Sequence, residues 1–376
     1  MYIYLLMAGV SMLFSLLVEN HRKFEITFSS NEDIQQVCSY EYTYRYTQYM
    51  GIPFLFSFLP MFLLSALRYD VGTDYMYTYT PTFIEMLTDS SAGYREIGIN
   101  FIIRFIQLFT TEPQWFFVVT SFIYNFFVFL SIYRYSPNRA FSILLCLFSC
   151  IYFISLNNVR QSCAAAILLF AFSTITEKKP IPFLALVLLA SLFHLSSIIF
   201  IIVYPLCNLR FYRQHYLIYS IIFFAFIFVG SNLFISIIRL TKYSYFLDSY
   251  LTTGRITYTY ILHNLVIMAV TYLILKDGYR TNRNDFCYLV IQTISTLVPF
   301  FSFVIPSSEL ISRLDLYFLT YQVLLIPYLI SRLQSREKRI LVGSSLGIYM
   351  FLYMYYTIVI RNNHAVLPYQ WIFGNY

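Results

Sequence analysis

Charge is scarce in this chain. Of its 376 residues only 11% are charged, while 59% are hydrophobic and 21% aromatic. A soluble domain of that length has no need of so much apolar surface, so a water-soluble fold is excluded. Cysteine is sparse and unpatterned. The six cysteines, Cys38, Cys146, Cys150, Cys163, Cys207 and Cys287, form no C-x-x-C and no Cys/His cluster at metal spacing, so neither a zinc site nor a disulfide framework is indicated. There is no period-two alternation of the kind a transmembrane β-barrel needs. No repeat of fixed period, low-complexity linker or soluble domain stands out. The first residues, "MYIYLLMAGVSMLFSLLVEN", have neither a basic n-region nor a small-residue cleavage site, and we expect a retained first span there.

What is present is apolar sequence in blocks of roughly 17 to 25 residues, the length that crosses about 30 Å of hydrocarbon as a helix. The expected class is an all-α, polytopic integral membrane protein with about 11–12 transmembrane or re-entrant helices. Candidate spans are 1–18, 51–67, 114–133, 140–156, 158–175, 181–206, 216–235, 258–275, 286–305, 313–330 and 340–360. The net charge of +7 points to a basic membrane face before it points to nucleic acid.

Basic residues set the orientation, because Lys and Arg concentrate in cytoplasmic loops. "SRLQSREKR" at 331–339, then Lys276, Arg280 and Arg283, Lys178 with Lys179, and Arg134 with Arg139 belong inside. Parity then requires that 181–206 enter and leave by the same side, as a re-entrant pair broken at "SLFHLSS" with His194 at the break. The whole chain reads as one membrane domain. In it, 19–50 is a polar cytoplasmic loop, 68–112 an outer-face loop with amphipathic helices, and 230–257 a second outer-face loop.

Arginines left on the outer face need a reason, since sign bias works against them. Arg68 ends the second span beside Asp70, Thr73, Asp74 and Tyr75, in "RYDVGTDY". Either this is an interfacial ion pair with a glycine stop, or Arg68 binds an anion next to carboxylates that accept a proton. Arg160 follows Asn157 and Asn158 and precedes Gln161 at the start of a helix whose next turn, Ser162 to Ala166, is small. A helix start offers unpaired N–H groups, and an arginine adds a forked donor. Arg313 either pairs with Asp315 at the lip of a span or points into a cavity with Tyr317 one turn on. His194 is either a packing residue or a catalyst; Glu96 beside Arg95 is a further candidate base or half of a surface ion pair.

These segments carry a resemblance. "RYDVGTDYMYTY", "YREIG", "QWFF", "NNVRQSCAAAI", "FHLSS", "SRLDLYF" and a terminal "LPYQW" resemble, in that order, the EpsG-like branch of the bacterial Wzy-type O-antigen and capsule polysaccharide polymerases. The match runs from about Leu67 to the end and leaves out the 19–50 loop. It implies a multi-span glycosyltransferase of the bacterial inner membrane, working on its outer face without a cofactor. The implied substrate is a polyprenyl-diphosphate-linked oligosaccharide, and a chain-length regulator is an implied partner. Such a site needs positive charge for the diphosphate, from Arg68, Arg160 and Arg313 with Gln161, Asn157, Asn158, Tyr75, Thr73 and Tyr317 around it. It also benefits from a base for the acceptor hydroxyl: Asp74, Asp70, His194 and Glu96 are the candidates, in that order. No Asp-x-Asp metal site occurs in a fitting context, and metal independence is expected. A lipid-linked oligosaccharide flippase and a membrane acyltransferase are the alternatives.

Overall fold

The structure, a computed structural model, describes residues 1–19, 52–209, 213–222, 240, 258–303 and 308–374. The expected 19–50 and 230–257 loops and much of the 216–235 span lie outside the described residues. Everything described is helix, turn or loop apart from one isolated β-bridge. In chain order the helices are α1 (Tyr2–Glu19), α2 (Ile52–Ala66), α3 (Thr80–Thr88), α4 (Ile97–Gln107), α5 (Gln114–Tyr135), α6 (Arg139–Phe148), α7 (Ile151–Asn157) and α8 (Val159–Phe170). They continue as α9 (Phe172–Thr176), α10 (Pro180–Phe193), α11 (Val203–Asn208), α12 (Tyr258–Leu275), α13 (Arg283–Leu297), α14 (Ser308–Leu319), α15 (Gln322–Arg332) and α16 (Arg336–Met354).

Four stretches among the described residues are long and apolar enough to cross a membrane: Gln114–Tyr135, Tyr258–Leu275, Arg313–Arg332 and Arg336–Ile360. A fifth is the pair α6 and α7, bent by 53° where Cys150 takes a left-handed φ of 65°. The chain is an all-α, multi-pass membrane protein. The expected spans 1–18 and 51–67 are the unbroken helices α1 and α2, whereas the apolar runs 158–175, 181–206 and 286–305 are interrupted within, after Phe170, at His194 and at Val298.

The clearest break is at His194. Phe183, near the start of α10, has its ring centroid 5.1 Å from that of Tyr204 in α11. Twenty-one residues of straight helix would separate them by about 31 Å. The segment therefore doubles back, with His194 in extended backbone at the tip.

Small residues let the helices approach. Ala8, Ser11 and Ser15 line one buried face of α1, and Ser57 of α2 donates across it to the Ser11 carbonyl at 3.0 Å. With lipid outside, such close backbone packing replaces the hydrophobic drive between helices. In α8, Gln161 through Leu169 are all buried, which makes it the central helix, packed on α5, α10 and α14.

The basic loops gather at one end. Arg332 pairs with buried Asp285 at 2.9 Å. Arg283 donates to the Ile175 carbonyl at 2.8 Å, and Arg213 to the Tyr279 carbonyl at 2.9 Å. The His194 tip lies elsewhere, with the candidate residues.

Candidate active site

The "RYDVGTD" stretch wraps the end of α7. Gly72 has a φ of +89°, and a Cβ there would stand 2.8 Å from the Leu156 carbonyl oxygen, so glycine serves both the turn and the close approach. The Asn157 Oδ1 then accepts from the Thr73 hydroxyl and the Asp74 N–H, at 2.9 Å each. Arg68, only 1% exposed, donates to the carbonyls of Ser65 at 2.6 Å and Leu156 at 3.3 Å. Its guanidinium carbon lies 4.8 Å from the Phe117 ring centroid. The tail closes the wrap from outside: Tyr69 N–H donates to Gln370, Ile372 N–H to Leu67 and Gly72 N–H to Ala365, at 3.0, 3.0 and 3.1 Å.

Asn157 and Arg160 sit at the α7–α8 junction, and from there a second set of groups begins. Arg160 Nη1 is 2.6 Å from Glu96 Oε2, with the two side chains 23% and 8% exposed. Its guanidinium carbon is 4.1 Å from the Tyr94 ring centroid, and Tyr79 is hydrogen-bonded to it. The other carboxylate oxygen of Glu96 is 3.5 Å from the Leu195 N–H, one residue past the hairpin tip. His194 Nδ1 lies 2.8 Å from Ser196 Oγ and 3.0 Å from Tyr317 Oη, and those two hydroxyls are 2.8 Å apart. Gln161 bonds to the Arg313 carbonyl and to Tyr317. Five segments thus converge: the 72–79 turn, 94–96, the start of α8, the hairpin tip and α14.

Two glycines explain how Glu96 arrives. Gly93 has a φ of +135°, which lets Asn100 clamp Tyr94 from both sides, at 2.8 Å to its N–H and 2.6 Å to its carbonyl. Gly98 lies against α10, where an added Cβ would be 2.7 Å from the Leu192 carbonyl oxygen. Since backbone cannot yield as a flexible side chain does, Gly98→Leu is expected to push α4 off the hairpin and separate Glu96 from Leu195. Cross-linking between cysteines placed at 97 and 192 checks it: unchanged efficiency would show that the contact is slack.

Burial first, then the nearby Arg160 and Arg313 against the pull of Glu96, pushes the His194 imidazolium down to about 4. The ring is therefore neutral at pH 7. Burial raises the Tyr94 phenol, which keeps it protonated.

Of the residues the sequence singles out, Glu96, Arg160, Gln161, His194, Arg313 and Tyr317 come together. Asp74 borders the set, with its charge felt at Tyr79 and Tyr94 and its Oδ1 3.4 Å from the Thr78 hydroxyl. Arg68, Thr73, Asn157 and Tyr75 build the wrap instead; Tyr75 donates to Gln114 at 2.6 Å and stacks on Phe117 at 4.0 Å. Asp70 is exposed at a φ of 48°, and Asn158 is the residue from which α8 starts.

Two pairings that the sequence leaves open are not made. Glu96 pairs with Arg160 rather than at the surface with Arg95, because the turn at Gly93 and the contact at Gly98 face it inward. Asp315 does not pair with Arg313. It is fully buried, accepting from Tyr260 and from Asn264, the latter at 3.2 Å. Successive residues two apart on a helix face nearly opposite ways, so Arg313 and Tyr317 serve one side of α14 and Asp315 the other. Arg104, the other arginine within an apolar run, caps α3: it bonds the carbonyls of Met86, Asp89 and Ser90, the last two at 3.0 and 3.2 Å.

Sequence reasoning missed Tyr94, which the "YREIG" motif contains, and it gave Ser196 no role. The only available signal was their adjacency to Glu96 and His194.

A family model described as the EpsG family matches residues 51–371. No curated protein and no solved structure matches the chain.

Proposed function

Because this chain belongs to the EpsG family, we propose that it is a polysaccharide polymerase of the bacterial inner membrane. It transfers a glycan from polyprenyl diphosphate to the non-reducing end of a second lipid-linked repeat unit. The observation that carries this reading is the convergence of Arg160 and Arg313 on a neutral His194, at a hairpin tip away from the basic loops. Under the positive-inside bias that tip lies on the outer face, where lipid-linked repeats are extended. A chain-length regulator is the partner such an enzyme would take.

The chemistry follows from the groups present. The bond between the sugar anomeric carbon and the diphosphate oxygen breaks, and a bond from that carbon to the acceptor hydroxyl oxygen forms. The hydroxyl proton goes to a base, and polyprenyl diphosphate leaves with the bonding pair. Arg160 and Arg313 neutralise the charge that grows on the leaving oxygen.

His194 is the base this geometry favours. We take His194 Nδ1–H as the donor to Ser196, whose Oγ lies 2.8 Å from Nδ1 and 2.8 Å from Tyr317 Oη. That direction leaves the lone pair on Nε2, which has no hydrogen-bond partner among the described residues. Asp74 is the acidic neighbour that orients the acceptor. Arg68 is a positioning residue, holding the wrap that presents Asp74.

A deletion strain tests the reading through its surface glycan. Loss of a polymerase leaves single repeat units attached, and that is the expected banding. Absence of repeat units would indicate a flippase, and unchanged chain length an acyltransferase; either overturns the proposal.

A further inference from the structure

Arg160, the proposed seat of the diphosphate, is already occupied by a carboxylate of the same chain. The pairing with Glu96 is end-on: one N–H meets one oxygen at 2.6 Å, and the buried Nε has no partner among the described residues. The second carboxylate oxygen is only loosely held, 3.5 Å from the Leu195 N–H, at the far limit of a hydrogen bond. Tyr94 supports the guanidinium from one face. Asn100 fixes the backbone on which Glu96 is carried.

We propose that Glu96 is an internal stand-in for the substrate diphosphate, filling the anion seat of Arg160 until the lipid-linked donor displaces it. A buried guanidinium left without a counter-charge is costly, so the resting site needs an anion. A permanent one would compete with substrate. An end-on carboxylate satisfies both demands, because a diphosphate engages the forked face of arginine through two parallel bonds and outcompetes a single one. Exchange requires only rotation of the Glu96 side chain, since the Tyr94 backbone is clamped and α4 is packed on α10 at Gly98. The released carboxylate is then beside the hairpin tip that carries His194. This rests on the polymerase reading for the identity of the ligand, but the exchange itself is a property of the Arg160 seat.

Inorganic pyrophosphate titrated by calorimetry into the full chain in nanodiscs tests the exchange apart from polymerisation. Glu96→Gln keeps an oxygen that accepts from Arg160 and removes only the charge. It is expected to bind pyrophosphate roughly tenfold more tightly than the unaltered chain, the ratio that corresponds to losing one modest competing interaction. Glu96→Asp, which keeps the charge on a shorter stem, is expected to fall between the two, and it serves if the glutamine variant does not fold. Arg160→Ala removes binding in either background. Equal or weaker binding by Glu96→Gln and Glu96→Asp, with thermal unfolding unchanged, overturns the proposal. Tighter binding in a chain that extends no glycan would preserve the exchange and sink the polymerase reading; extension without any change in binding would do the reverse.

Discussion

Arg160→Lys should leave a correctly inserted protein that extends glycan chains about 10²–10³-fold more slowly, the usual loss when one preorganised donor to a developing charge is removed. Lysine keeps the positive charge. It loses the planar fork that engages two diphosphate oxygens and the flat face that rests on Tyr94. The ammonium would also keep Glu96 as a neighbour without offering the second N–H that lets a diphosphate displace it. The loss should appear in both constants: KM rises because the diphosphate no longer displaces Glu96, and kcat falls because charge on the leaving oxygen is greatest in the transition state. Near-normal product lengths in a reconstituted assay would reduce Arg160 to a snorkelling residue at a helix start. Arg68→Lys is the instructive contrast. Arg68 is buried and bonded to carbonyls of α2 and α7, so its replacement should lower the folded yield and thermal stability before it touches the chemistry.

The contrast shows where the sequence is informative and where it is not. Both arginines are written alike, each near a span edge beside polar residues. What separates them is rotation about the helix and the depth of the neighbouring backbone, neither of which a linear pattern encodes. The hairpin at His194 was legible because charge parity is a global constraint: one misplaced crossing would have reversed every later loop. The bend between α6 and α7 was not legible, since "FSC" gives no glycine or proline to mark it.

Glu96 illustrates the same limit in the site. Its sequence neighbour Arg95 is the obvious partner, and the actual one is 64 positions away. The pairing depends on Gly98 lying flush on α10, a close approach that one sequence cannot reveal. The grouping of Gln161, His194, Arg313 and Tyr317 was legible residue by residue, as polar exceptions in apolar runs. Their relay through Ser196 was not, because serine near a helix break usually satisfies its own backbone.

His194→Ala should slow chain extension by about 10²–10⁴-fold, the span expected for a general base, and should exceed the loss from Asp74→Asn. Asp74 heads the sequence-based order because it follows the glycine turn. In the folded chain its Oδ1 has a hydroxyl neighbour in Thr78 and its backbone is held by Asn157, which suits a group that orients the acceptor. His194 instead has Nδ1 anchored and Nε2 open. Its imidazolium is pushed down to about 4, so the ring stays a neutral base well below its ordinary titration near 6.5. The rate should therefore hold level from neutral pH through 6.5 and fall only as pH approaches 4. Stability has the same sign. Between about 4 and 6.5 the unfolded chain binds the proton that the folded site refuses, so stability is full above 6.5 and declines as pH falls through that window. His194→Gln should remove this part of the acid destabilisation along with the activity, a pairing that a merely structural histidine would not produce. A severe Asp74→Asn defect beside a mild His194→Ala one would return the base to Asp74 and leave His194 to position the sugar, whereas an activity profile that breaks near 6.5 would show the imidazole titrating at its ordinary value despite its burial.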